Sequence, residues 1–177
     1  MSLNYLKKKK LFEIMTKSPE DIIRDEWDLL KKSGLLSQIG CTAGPQRKGK
    51  IYNMFKWNAL MRAPKKSPYS GYMFKFEIEF QKDYPNSPPN VYCKTKVYHM
   101  NIHDSGKVCV QTVTDQDKWQ IRHDISTVLF SIFIIFEKPN PASPYQIDIA
   151  ELYINDIEQY KKNVKESCEK YALKIPE

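Results

Sequence analysis

The sequence contains four cysteines, at positions 41, 93, 109 and 168. They differ in whether the neighbouring residues predict a structural role for them. Cys41 opens a short strand, Cys93 falls on the apolar face of a strand, and Cys168 falls on the apolar stripe of a helix. Free cysteine commonly acts as a small hydrophobic residue, which accounts for all three. Cys109 has no periodic context, because Ser105-Gly106-Lys107 interrupts any strand directly before it. Spacing alone leaves open whether Cys109 is functional.

Two reactions suit a thiol in this setting. A cysteine hydrolase requires a histidine base beside the thiol and a group that orients the base. His99, His103 and His123 are candidates, but nothing in the sequence fixes any of them against Cys109. Transthiolation needs less help from a base, since a thiol titrating near ~8.5 supplies enough thiolate at neutral pH. It requires donors for the oxyanion that forms when an amine attacks the thioester.

The elements that would position these residues follow the order helix, strands, helices, which is typical of an α+β domain. Ser18 and Pro19 predict the start of a helix, and Ser33-Gly34 predicts its end. A short strand and turn are predicted over residues 40–50. Further strands are predicted at 54–61, at 74–80, where the alternation of apolar and polar residues is clearest, and at 91–95.

A long irregular segment, residues 96–122, contains Cys109, and a loop of this length in a compact domain is usually functional. Asp124 predicts the cap of the next helix. In the last helical region, the apolar residues from Ile149 to Tyr171 recur every three or four positions and predict an amphipathic stripe. The dense prolines of Asp83–Pro89 predict a rigid surface loop that presents a recognition edge.

Composition limits the class of protein. The chain has 177 residues, 41% of them hydrophobic, and a net charge of +7, which fits one globular domain with a preference for anionic partners. The densest basic run, Lys7–Lys10, lies in the N-terminal tail and is not interleaved with aromatic residues, so nucleic-acid binding is not predicted. The most apolar stretch, residues 127–136, is about half a membrane span. Without disulfide spacing or a signal sequence, we expect reduced thiols in the cytoplasm or nucleus.

A family resemblance decides between the two thiol reactions. The segment Tyr98-His99-Met100-Asn101, with Cys109 eight residues after the asparagine, resembles the His-Pro-Asn and active-site cysteine signature of ubiquitin-conjugating enzymes. Other motifs resemble those of the family and follow in its order: Cys41–Pro45, Phe55–Trp57, Ser67–Gly71, Asp83–Pro85 with Pro88-Pro89, Trp119, and Pro139–Pro141 with Pro144. The resemblance covers residues 18–174, with residues 1–17 as a flexible basic extension.

The resemblance implies an N-terminal helix, a four-stranded antiparallel meander sheet, an active-site loop and C-terminal helices. It implies that Cys109 carries a ubiquitin-type modifier as a thioester, received from an activating enzyme and passed to a substrate lysine with a ligase. Asn101 would stabilise the oxyanion or fix the loop beside it, and His99 would hold the loop together. Ser143 lies at the position of the family's gate residue, often an aspartate. No cofactor or metal is implied.

Several positions depart from the family pattern. Met100 replaces the proline of the signature, which removes one φ constraint from the loop. Asn86 and the segment Gln120–Arg122 replace residues that commonly face a ligase, so the usual set of ligases is in question. Two extra residues between Cys109 and Trp119 are similar to the SUMO-conjugating enzyme.

The segments Cys41–Pro45 and Pro139–Pro144 favour ubiquitin as the modifier. The alternatives are SUMO or a similar modifier, and a weak variant that keeps the fold as a binding module.

Overall fold

A computed structural model describes residues 16–109 and 118–175 of the chain. The predicted basic extension lies outside the described residues apart from its last two positions. The two-residue insertion between Cys109 and Trp119 falls in the gap between the described ranges. Both therefore stay predictions.

The described residues form an α+β domain, as predicted, whose sheet has the strand order β1-β2-β3-β4 with every pair antiparallel. The elements in chain order are α1 (Pro19–Lys32), α2 (Leu35–Gln38), β1 (Cys41–Lys48), β2 (Ile51–Arg62), β3 (Tyr72–Glu79), β4 (Asn90–Cys93), α3 (Ile125–Glu137), α4 (Ile147–Asn155), α5 (Ile157–Tyr171) and β5 (Leu173–Lys174). The two-residue strand β5, which pairs with the start of β3, was not predicted because two residues carry no periodic signal. None of the described helices is long and apolar enough to cross a membrane.

The N-terminal helix begins and ends where the sequence predicts. The Ser18 hydroxyl accepts a hydrogen bond from the backbone N–H of Asp21 (3.2 Å), and Pro19 occupies the first turn. The helix ends at Lys32, and Gly34 follows with φ of +74°, a left-handed conformation that glycine adopts at little cost. The bounds of α1 therefore follow from local sequence signals.

The core lies between the sheet and α3. The predicted alternation holds in β3, where Phe74, Phe76 and Ile78 are buried. From α3, Phe136 packs against Phe74 and Phe76 with ring centroids 4.8 and 5.9 Å apart. The predicted cap is present too, because the Asp124 carboxylate accepts from the backbone N–H of Thr127 (2.9 Å). One face of the sheet is thus covered by a strongly apolar helix.

The stripe predicted from Ile149 to Tyr171 is divided between two helices, α4 and α5, and its members Ile149, Tyr160, Val164 and Cys168 are buried. The chain leaves the helical conformation at Asp156, with φ −146° and ψ 81°, and the Asp156 carboxylate then caps α5 by accepting from the N–H of Gln159 (3.0 Å). The stripe is interrupted at this break. Ile157 and Tyr171 are 39% and 40% exposed.

The proline-rich segment is only partly a surface loop. Asp83 and Asn86 are exposed, but Pro85 and its neighbours Pro88-Pro89 are buried. The Pro85 carbonyl accepts from the Trp119 indole (2.7 Å). Because its prolines are buried, this segment is also packed against the rest of the domain.

A carboxylate on α1 joins this loop to α3. One oxygen of Glu26, Oε2, accepts from the Tyr84 hydroxyl (2.7 Å) and from the backbone N–H of Ile125 (3.1 Å).

Candidate active site

Cys109 lies beside the sheet because its segment pairs with β4. The backbone N–H of Val108 donates to the carbonyl of Val91 (2.9 Å), and Ile102 and Val108 form an antiparallel bridge. The N–H of Cys109 donates to the carbonyl of Asn101 (2.9 Å). The 102–109 loop therefore folds back on itself and brings the cysteine next to the asparagine of the signature.

Gly106 makes this return possible. Its φ is +86°, its N–H donates to the His103 carbonyl (2.8 Å), and its carbonyl accepts from the N–H of Cys93 (2.7 Å). A side chain at this position would collide with the Cys93 carbonyl oxygen. The glycine that interrupts the sequence pattern before Cys109 is thus required by both conformation and space.

The four cysteines divide in the way that the sequence predicts. Cys41, Cys93 and Cys168 are buried, and burial raises the pKa of each thiol to about 12. Their thiolate populations at neutral pH are therefore negligible, because burial disfavours the charged form. Cys109 is only partly buried and forms no disulfide. It is the one cysteine of the four that is not buried.

His99 is a structural residue. It is fully buried, and its Nε2 lies 3.0 Å from the Ile135 carbonyl oxygen, so Nε2 must donate. Its Nδ1 accepts from the backbone N–H of Asn101 (3.0 Å). Burial lowers the pKa of His99 to about 4, which keeps the ring neutral at physiological pH. With both nitrogens engaged by backbone groups, His99 holds the loop and does not supply a general base.

The other two histidines use Nδ1 in local turns. The Nδ1 of His103 accepts from the N–H of Ser105 (3.1 Å), and the Nδ1 of His123 accepts from the N–H of Gln120 (3.1 Å). Each contact is made within three residues of the histidine itself. These contacts give no support to the hydrolase alternative, which requires a histidine held against the Cys109 thiol.

The Asn101 side chain is committed to the turn at residues 140–143. It is 1% exposed, its Nδ2 donates to the carbonyls of Asn140 (2.8 Å) and Ser143 (3.1 Å), and its Oδ1 accepts from the N–H of Asn140 (2.8 Å). Both N–H groups of the amide are therefore used. Of the two roles that the resemblance implies for Asn101, this geometry fits the fixing of the loop.

Met100 is anchored in spite of the missing proline. Its side chain is fully buried, and its carbonyl accepts from the backbone N–H groups of Tyr145 (2.8 Å) and Gln146 (3.1 Å). The side chain of Gln146 also donates to the Ile102 carbonyl (2.7 Å). Hydrogen bonds thus restrain the segment where a proline would restrain φ.

The structure brings the three predicted site residues together. Asn101 is bonded through its carbonyl to Cys109 and through its side chain to the carbonyl of Ser143, which is half-buried. Asn140 and Gln146 also belong to this network, although sequence reasoning noted Asn140 only as part of a motif. Gln146 carried no sequence signal. Among the described residues, no group of three or more His, Cys, Asp or Glu side chains is placed to hold a metal ion.

Comparison with known proteins defines the class. The family model for ubiquitin-conjugating enzyme matches residues 25–168, which is most of the chain. The chain belongs to the ubiquitin-conjugating enzyme family. Members are transferases that form thioester intermediates, so the predicted fold and enzyme class are confirmed.

Particular relatives are similar over about two thirds of the chain. Ubiquitin-conjugating enzyme E2 2 of Candida glabrata is 37% identical over 67% of this chain and 70% of its own length. The Saccharomyces cerevisiae protein of the same name is 36% identical over 67% of each chain. Probable ubiquitin-conjugating enzyme E2 31 of Arabidopsis thaliana is 38% identical over 68% of this chain and 77% of its own. All three names specify ubiquitin, and this supports ubiquitin over the SUMO alternative.

Proposed function

We propose that this ubiquitin-conjugating enzyme carries ubiquitin as a thioester on Cys109 and transfers it to a substrate lysine with a ligase. The observation that carries the assignment to Cys109 is its half-exposed thiol beside Asn101, in a chain whose other cysteines are buried. Family membership supports the modifier and the reaction class.

Two acyl transfers make up the reaction. In the first, the Cys109 thiolate attacks the thioester carbonyl on the activating enzyme, and the cysteine of that enzyme leaves as a thiolate. In the second, a neutral lysine amine attacks the new thioester, an amide bond forms, the nitrogen gives up one proton to solvent or to a nearby base, and the Cys109 sulfur leaves as a thiolate. Neither step oxidises or reduces any group. In this scheme Asn101 is a positioning residue that holds the 140–143 turn beside the thioester.

The test is to incubate the native chain with ubiquitin, a ubiquitin-activating enzyme and ATP, and to analyse the mixture on a non-reducing gel. We expect an adduct that requires ATP and disappears on treatment with a thiol. A parallel reaction with SUMO and its activating enzyme should give none. Absence of an adduct with ubiquitin would contradict the proposal and favour a binding module. Cleavage of a ubiquitin derivative without ATP would favour a hydrolase.

Besides ubiquitin, this reaction requires three classes of protein partner: an activating enzyme, a ligase and lysine-bearing substrates. Asn86 and Arg122 are exposed on the two loops where family resemblance implies ligase contacts, and both differ from the common pattern. They support a ligase partner of unusual surface chemistry. Because a thioester carrier needs a reduced thiol, we assign the enzyme to the cytoplasm or nucleus.

Ser143 is proposed as the gate residue toward the incoming lysine. A free lysine, with a pKa near ~10.4, is mostly protonated at neutral pH, and a nearby carboxylate would help it lose its proton. We therefore expect Ser143→Asp to discharge the thioester to free lysine roughly tenfold faster than the native enzyme. Phosphorylation within Ser143-Pro144 would add negative charge at the same place.

Single-turnover discharge of the purified thioester to free lysine measures this effect. Ser37→Asp, an exposed position on α2, adds the same charge away from the site and should leave the rate unchanged. Equal rates for Ser143→Asp and the native enzyme would remove Ser143 from the site.

A further inference from the structure

A second concave site lies away from Cys109, between the loop joining β2 to β3, helix α5 and strand β5. Its cavity volume is about 580 Å³. Four lysines from these three elements line it: Lys66, Lys161, Lys165 and Lys174. We refer to this site as the lysine groove. The thioester reaction assigns no role to it.

The lysine groove has a surplus of positive charge. Within the described part of the chain, Lys161 pairs with Glu158 (2.7 Å) and Lys165 lies 4.0 Å from Glu169, whereas no ion pair engages Lys66 or Lys174. Two of the four lysines thus have no ion-pair partner among the residues that the structure describes. Like charges gathered around one concavity repel each other, and an anionic occupant would relieve this repulsion.

The groove is lined by apolar residues as well as by lysines. Pro68 and Tyr72, both half-buried, contribute a ring each, and Ser70 lies between them in the sequence. All four lysines that line the groove are exposed. We refer to Pro68 and Tyr72 as the floor of the groove and to the four lysines as its rim. An apolar centre with a charged rim is the composition of a protein-binding surface.

The groove and Cys109 lie at opposite ends of β3. Tyr72 begins the strand, whereas Ile78, six residues further on, pairs with Val91, whose carbonyl holds the Cys109 segment. Six residues of strand span about 20 Å. A molecule in the groove would not touch the thioester.

We propose that the lysine groove docks an acidic peptide segment of a protein partner, with one apolar side chain of the segment seated on the Pro68–Tyr72 floor. A peptide supplies both carboxylates for the rim and an apolar group for the floor. A phosphate ligand would leave the floor unfilled, and a membrane surface would not enter a concave site. Docking there would hold the partner near the enzyme and raise the effective concentration of its lysines at Cys109.

The test measures the binding of short fluorescein-labelled glutamate-rich peptides to the full chain by fluorescence anisotropy. One peptide contains a central leucine and the other a serine in its place. The test variant is Lys66→Glu with Lys174→Glu, since neither lysine pairs with a described carboxylate. The matched control is Lys162→Glu with Lys170→Glu, two exposed residues of α5 outside the groove. Both variants change the net charge equally, and ubiquitin charging confirms that each is folded.

We expect the native chain to prefer the leucine peptide, and the groove variant to weaken that binding by more than about tenfold, because reversed charges repel the peptide. The control variant should weaken it less than threefold. Equal losses in the two variants, or equal binding of the two peptides, would overturn the proposal. Tighter binding of inositol hexakisphosphate or of phosphatidylserine vesicles, with the same dependence on Lys66 and Lys174, would reassign the groove to phosphate or to membrane.

Discussion

Cys109→Ala should abolish the ATP-dependent ubiquitin adduct. Alanine has no nucleophile to accept the acyl group. The three remaining cysteines are buried, and burial raises the pKa of each thiol to about 12. Because Cys109 is half-exposed, replacing its sulfur leaves the core intact and should change the free energy of unfolding by less than about 1 kcal/mol. The non-reducing gel and a thermal unfolding curve, measured together, separate loss of the nucleophile from loss of the fold.

Two further variants test whether Cys109 is the cysteine that carries ubiquitin. Cys168→Ala removes a buried thiol from α5 and should destabilise the domain slightly while the adduct persists. Cys109→Ser should form an oxygen ester in place of the thioester, so its adduct should resist thiols and yield to alkali. If the Cys109→Ala protein still formed a thiol-sensitive adduct, or Cys168→Ala lost it while folded, the carrier would be another cysteine.

Asn101→Ala should slow transfer of ubiquitin to lysine and also destabilise the domain. The substitution removes three hydrogen bonds and leaves the backbone N–H of Asn140 and the carbonyls of Asn140 and Ser143 without these partners. The partial burial of this turn makes water an incomplete substitute, so we expect a loss of about 2 kcal/mol in the free energy of unfolding. Charging of Cys109 should continue, because the cysteine is held through backbone bonds that the substitution keeps.

The measurements are urea unfolding, hydrogen exchange of the Asn140 amide, and single-turnover discharge to lysine. If Asn101 is a positioning residue, Asn101→Ala should both accelerate hydrogen exchange of the Asn140 amide and slow discharge of the thioester to lysine. The control is Asn140→Ala, which removes the side-chain contact to Ala142 (3.0 Å) but keeps the backbone groups that Asn101 holds. If Asn101→Ala lost discharge with native stability and native exchange, the amide would instead be a donor to the oxyanion.

Much of the fold could be predicted because the relevant signals are local. The cap at Ser18, the alternation through Phe74–Ile78 and the cap at Asp124 each depend on residues within one turn or one strand. Cys109 could be separated from its fellow cysteines for the same reason, since periodicity shows which thiols are buried. The ordered motifs then gave the family, which the comparison confirms.

Features that join distant segments could not be predicted. The break at Asp156 interrupts an apolar pattern that looks continuous in the sequence, and the pairing of β5 with β3 joins residues about a hundred positions apart in sequence. Neither leaves a periodic trace, because a single dihedral change or a two-residue strand is shorter than any period.

The sequence by itself determined the family, the thioester chemistry expected of it and the candidacy of Cys109. Only the tertiary structure decided what the signature residues contact: the Asn101 amide bonds to a turn about forty residues away, and both ring nitrogens of His99 bond to backbone groups. The tertiary structure also brings Lys66, Lys161 and Lys174 together in the lysine groove. The physical reason is common to all of these. Hydrogen bonds and charge clusters form between residues that are close in space. Separation along the chain does not predict which residues become close, because this is decided only when the core packs.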